Sequence, residues 1–105
     1  MIGKFEELTL LALLRSGPNS NAAKVYNVLE GGVSSPPPFA ALYTALDRMV
    51  KKGMISEVSD TSDKRARRLF TITGEGRHAL DEALTATRAL GGNVWGTEVL
   101  GGANG

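Results

Sequence analysis

The stretch from Phe39 to Gly53 constrains this chain more than any other. Phe39, Leu42, Tyr43, Leu46, Met49 and Val50 fall at i, i+3, i+4, i+7, i+10 and i+11, the repeat of a helix with one apolar stripe. The opposite face carries Ala41, Thr44, Ala45 and Arg48. Small groups and one arginine there let the helix lie close against another surface. Lys51 and Lys52 occupy the last turn, where the helix dipole favours cations, and Gly53 supplies the stop.

The segments on either side give this helix its setting. A first helix is expected from about Lys4 to Arg15, apolar around most of its girth through Phe5, Leu8, Leu10, Leu11, Ala12 and Leu14, and so buried on more than one side. Gly17-Pro18 stops it. Asn19, Ser20 and Asn21 offer caps for a second helix over about Ala22–Glu30, with Val25, Val28 and Leu29 inward. In Ser34-Ser35-Pro36-Pro37-Pro38 each residue before a proline is pushed out of the helical region, so Ser35 to Pro37 are expected extended. Pro38 then suits the first helical position.

Beyond Gly53, Met54–Ser59 reads as a strand, Asp60-Thr61-Ser62-Asp63 as a turn, and Arg67–Ile72 as the returning strand with Phe70 and Ile72 inward. Thr73 is placed to cap a last helix over Gly74–Leu90, on which Leu80, Ala83, Leu84, Thr87 and Leu90 share a side. The fold class expected is mainly α with a small β-hairpin, in the order helix-helix-helix-strand-strand-helix: a winged helix-turn-helix. Residues 1–73 form its DNA-binding part, residues 74–92 a C-terminal dimerisation helix, and residues 93–105 a glycine-rich tail.

The sharpest charge feature is Lys64-Arg65-Ala66-Arg67-Arg68, at the point where the hairpin turns. Up to Arg68 there are ten basic and seven acidic residues, against two and four after it, so the positive excess lies in the part expected to face phosphate. On this reading the helix over residues 38–52 enters a major groove and the wing over residues 60–68 lies beside it. Lys64, Arg65, Arg67 and Arg68 grip phosphate or a minor groove. The plainer alternative is a solvated loop balanced by Asp60 and Asp63.

On the helix, Thr44 and Arg48 are the polar groups available to read or position, and Tyr43 lies at the edge of the exposed face with a hydroxyl that needs a partner. A core tyrosine, and an Arg48 paired locally with Asp47 or another acid, are the structural alternatives. With so few hydrogen-bonding side chains, readout is expected to lean on a few contacts, thymine methyls and DNA shape.

Other function classes find little support. The chain has no cysteine and a single histidine, His78, which leaves no metal-ligand set. No Ser-His-acid arrangement and no glycine-rich phosphate loop after a strand occurs, and Thr73-Gly74-Glu75-Gly76 is too short and misplaced for a nucleotide fingerprint. No enzyme and no cofactor is expected. The apolar run Leu8–Leu14 is too short to cross a bilayer. Glu6 and Glu7 precede it where a secretory signal has basic residues, so a cytoplasmic protein without membrane attachment is expected.

A dimer is expected through Leu80, Leu84, Thr87, Leu90 and Trp95. Trp95 has alternatives: ending the core of one chain, stacking on a flat ligand, or lying in a disordered tail.

These residues resemble the PadR-like family of bacterial transcriptional regulators. Phe5–Leu14 is similar to that family's first helix, Ala41–Met49 to its recognition helix and Lys52-Gly53-Met54-Ile55 to the turn into the wing. Arg67–Thr73 with Gly76-Arg77 is similar to its second wing strand and the start of its last helix. The resemblance covers roughly Gly3 to Leu90. It implies a homodimeric winged helix, usually a repressor, on a palindromic operator in double-stranded DNA. It also implies dimerisation by the C-terminal helix against the partner's first helix and, in some members, sensing of a small aromatic effector. The chain departs from the family pattern at Asn21-Ala22, Pro37-Pro38 and Gly74. A winged helix serving protein partners, without sequence-specific DNA binding, is the competing expectation.

Overall fold

The computed structural model describes residues 1–62 and 67–91. They form α1 (Lys4–Ser16), α2 (Ala22–Gly32), α3 (Phe39–Lys51), β1 (Ile55–Asp60), β2 (Arg67–Ile72) and α4 (Gly74–Gly91). The expectations placed on Lys64, Arg65 and Trp95 lie outside the described residues.

Local chemistry accounts for most of the boundaries. Asn21 caps α2, its side chain accepting from the Lys24 N–H at 2.8 Å. Gly17 and Gly53 end α1 and α3 with φ of +94° and +79°, a region a Cβ disfavours. Thr73 caps α4: its hydroxyl accepts from the Gly76 N–H at 3.0 Å and donates to the Gly53 carbonyl at 2.7 Å. That residue thereby ties the end of α3 to the start of α4. Pro38 is a correction. It is the residue just before α3, with ψ of 151°, and not the first helical one. The proline run still acts as a stiff lead-in, because Tyr26 donates its hydroxyl to the Pro37 carbonyl at 2.6 Å.

The core gathers one face from every element. Leu10 and Leu13 of α1, Val25 of α2, Leu42, Leu46 and Met49 of α3, Ile55 of β1 and Phe70 of β2 are all essentially inaccessible to solvent. Ala45, expected on the outer face of α3, is buried among them. Leu42, Ala45, Leu46 and Met49 stand at i, i+3, i+4 and i+7, so the buried stripe is rotated toward Ala45. Phe39, Tyr43 and Val50 are left at its edge. Leu80 is corrected in the same sense: at 4% exposure it belongs to the core of its own chain and offers nothing to a partner.

β1 and β2 pair antiparallel, Ile55 opposite Ile72 and Asp60 opposite Arg67. The link between α1 and α2 adds a third, one-residue rung: Ser20 and Phe70 exchange both backbone hydrogen bonds, at 3.0 and 2.8 Å. The Asn19 N–H also reaches the Thr71 hydroxyl at 2.9 Å. Gly76 lies where the first turn of α4 crosses the entry to β1. A Cβ built there would stand 2.1 Å from the Met54 carbonyl oxygen, so no side chain fits.

Two carboxylates on α1 are buried. Glu6 accepts from the Gly3 N–H at 3.1 Å and pairs with Lys52 Nζ at 3.1 Å, joining α1 to the end of α3. Burial alone would raise its pKa. The Gly3 hydrogen bond, the Lys52 bond and the charges of Lys52 and Arg48 outweigh that and lower it. Glu7 pairs with Lys4 at 3.5 Å.

Candidate nucleic-acid interface

With its inner stripe in the core, α3 turns Ala40, Thr44, Asp47, Arg48 and Lys51 outward; all five are exposed. Thr44, Asp47, Arg48 and Lys51 line one shallow surface depression. The Thr44 hydroxyl makes only a long bond to the Ala40 carbonyl, 3.4 Å, within its own helix. Among the described residues, no acid lies within ion-pair distance of Arg48, Lys51 or Arg67. The structural alternative, Arg48 paired locally with Asp47 or another acid, is therefore not realised among these residues. Two cations unpaired among the described residues, with a hydroxyl on the same helix face, can bond phosphate oxygens or base edges in a groove.

The hairpin flanks this face. Asp60 opens it with a tight turn, taking the Ser62 hydroxyl at 2.7 Å and the Ser62 N–H at 3.0 Å. Those two bonds, the hydroxyl's first, hold the Asp60 carboxyl below its ordinary pKa. Arg67 is exposed on the outer side of β2, where a backbone contact is open to it.

Arg68 is elsewhere. It is one of four cations expected to grip phosphate, yet its guanidinium is held by two acids on the strand side that faces α3. Nε and Nη2 form a fork on Glu57, at 2.7 and 2.9 Å, and Nη2 also donates to Asp47 at 2.5 Å. Its carbon Cζ stands 5.7 Å from the centre of the Tyr43 ring and 5.2 Å from that of Phe70, close enough for cation–π attraction. Glu57 first, then Asp47, raise the arginine pKa above its already high value, and the Arg68 bond lowers that of Glu57. One side chain thus fastens β1, β2 and α3 together.

The signal for this was in the strand period. Phe70 and Ile72 point inward, so Arg68, two residues earlier, shares their side, and Arg67 does not. Tyr43 is half-buried under Arg68 and packs edge-on against Phe39 at 5.2 Å, which packs edge-on against Tyr26 at 5.1 Å.

Of the residues expected at a dimer contact, Thr87 and Leu90 are exposed, Leu90 at 91%, and Leu84 is half-buried beside the core. An apolar groove lies between α1 and α2, lined by Leu8, Leu11, Ala12, Val28 and Leu29 among others. Among the described residues there is no cluster of three or more potential metal ligands, and no helix is long and apolar enough to cross a membrane.

Comparison with solved structures places this arrangement among winged-helix folds. A PadR-family transcription regulator from Clostridium difficile R20291 superposes with a TM-score of 0.74 at 18% identity, over 88% of this chain and 95% of that one. A PadR-family regulator from Eggerthella lenta gives 0.68 at 23% identity, over 83% and 77%. A mutant MarR from E. coli gives 0.65 at 21% identity, over 82% of this chain and 57% of that one. At these identities the likeness is one of fold. Among curated proteins no sequence matches. The family model described as the transcriptional regulator PadR-like family matches residues 10–82, from the middle of α1 into α4. Spanning well over half of its length, that match shows that the chain belongs to the PadR-like family, whose members are transcriptional regulators and not enzymes.

Proposed function

We propose that the chain is a homodimeric repressor that reads a palindromic operator with the outer face of α3 and steadies itself on the flanking phosphates with the hairpin. The observation that carries this reading is the division of α3. Leu42, Ala45, Leu46 and Met49 are buried, while Thr44, Arg48 and Lys51 are exposed together on the opposite side. In this reading Thr44 and Arg48 reach base edges, Lys51 and Arg67 bond phosphate, and the methyl groups of Ala40 and Ala41 meet thymine. Tyr43 contributes by holding Arg68. Lys64 and Arg65 add two more cations to the sequence just before Arg67.

The second copy would cover the half-buried Leu84 and the exposed Leu90 of α4, and the groove beside Leu8 and Leu11. Two α3 helices would then present themselves to successive major grooves, about 34 Å apart on one side of the duplex.

Binding selection from randomised duplex DNA tests fold, dimer and function at once. The expected product is a motif of two inverted half-sites with centres about one helical turn apart. Enrichment of a single unpaired half-site would remove the dimer, and enrichment of nothing would remove the DNA-reading assignment. A stable complex with another protein, formed by a chain that shifts no duplex, would favour the interaction-module alternative.

A further inference from the structure

Asp47 is an acid where a duplex-reading surface gains from cations. It shares the outer depression of α3 with Thr44, Arg48 and Lys51, and its side chain is 51% exposed. A free carboxylate there would repel phosphate oxygens. Asp47 is not free, because Arg68 Nη2 donates to its Oδ1 at 2.5 Å. Arg68 is in turn fixed by the Glu57 fork and by the Tyr43 and Phe70 rings. The charge of Asp47 is countered from the hairpin side, and its orientation is set by a residue that cannot swing away cheaply. The other oxygen, Oδ2, accepts no hydrogen bond from the described residues.

An ionised carboxylate only accepts. In the major groove its partner is an exocyclic amino group, and the geometry suited to aspartate is the amino group of cytosine. We propose that Asp47 is a specificity-determining residue that accepts a hydrogen bond from a cytosine amino group in each half-site. Arg68 is the positioning residue that holds it there. The inference rests on the DNA-reading function proposed above and adds to it a base preference and the residues that set it.

The test is the same selection from randomised duplexes, run in parallel on the wild type and on Asp47→Ala, Asp47→Asn and Arg68→Lys, with thermal melts confirming that each is folded. The wild type is expected to require cytosine at one position per half-site. Asp47→Ala is expected to lose that preference by about tenfold or more while keeping the rest of the motif. Asp47→Asn is expected to turn the same position toward adenine, the base an asparagine pairs with. Arg68→Lys keeps the charge but not the fork, and is expected to blur that same position while the remaining positions stand.

An Asp47→Ala motif identical to the wild-type one overturns the inference. So does a uniform gain in affinity for all sequences, which would make Asp47 a mere repelling charge. Either result leaves the proposed function standing. A wild-type chain that enriches no motif brings down the function first, and the two failures are therefore distinguishable.

Discussion

Replacing Arg68 by alanine is the perturbation whose cost the structure specifies best. Three contributions are lost. The two-point bond to Glu57, whose side chain is 24% exposed, is worth about 1 kcal/mol, the upper end for a surface pair because the fork is well aligned. The bond to Asp47 joins groups 40% and 51% exposed, and solvent screening holds it to roughly 0.3 kcal/mol. Cation–π attraction to Tyr43 and Phe70 adds about 0.5–1 kcal/mol. Together these come to about 2 kcal/mol, which for a domain of this size lowers Tm by roughly 8–15 °C.

The loss should carry a pH signature. Arg68 depresses the folded pKa of Glu57 below its ordinary 4.5. The stability from this pair is therefore present above that value and disappears as pH falls through the folded pKa. Melts followed by circular dichroism at pH 7 and at progressively lower pH should show Arg68→Ala far below the wild type at pH 7 and nearer to it as acid protonates Glu57. A cycle with Glu57→Gln should give a coupling of about 1 kcal/mol. A variant that melts with the wild type at pH 7, or a coupling near zero, would refute the idea that this arginine joins the hairpin to α3.

Gly76→Ala drives a methyl against the Met54 carbonyl and is expected to cost about 1–3 kcal/mol or more in urea unfolding. A neutral result would mean that α4 does not cross β1 so closely. Tyr26→Phe removes the bond to the Pro37 carbonyl and should cost about 1 kcal/mol by thermal unfolding. Glu6→Gln weakens the link to Lys52. Because Glu6 has a lowered folded pKa, its difference from the wild type should shrink as pH falls below the carboxylate range. Lys51→Ala should weaken binding to all sequences alike and reduce the slope of log affinity against log salt by about 1, read by fluorescence anisotropy, whereas Arg48→Ala should change sequence preference more.

The order of elements and most boundaries were legible in the sequence because they are decided locally. Asn21 and Thr73 cap, Gly17 and Gly53 stop, and the period along α3 marks a buried side. What the residue pattern concealed depends on neighbours distant in the chain. Ala45 looks neutral by itself, and is buried because Leu42, Leu46 and Met49 turn α3 that way. Leu80 shares a side with Leu84 and Leu90, but α4 rises out of the core along its length, so the first is covered and the last exposed.

The rung between Ser20 and Phe70 has no local signature, since it pairs a loop with a strand fifty residues on. Arg68 was misplaced for a different reason. A cluster of like charges suggests a common solvated surface, whereas strand alternation sends neighbouring arginines to opposite sides. Gly76 shows its necessity only once the Met54 carbonyl is in place beside it.

The whole account turns on which surface meets the duplex. Amide chemical-shift mapping of the isotope-labelled chain, titrated with a selected operator and with an unrelated duplex, addresses that directly. The largest changes are expected at Ala40, Thr44, Asp47, Arg48 and Lys51 and at the hairpin residues around Arg67, with the unrelated duplex moving the hairpin but not the α3 face. Changes centred on the α1–α2 groove or the outer side of α4, with α3 silent, would contradict it.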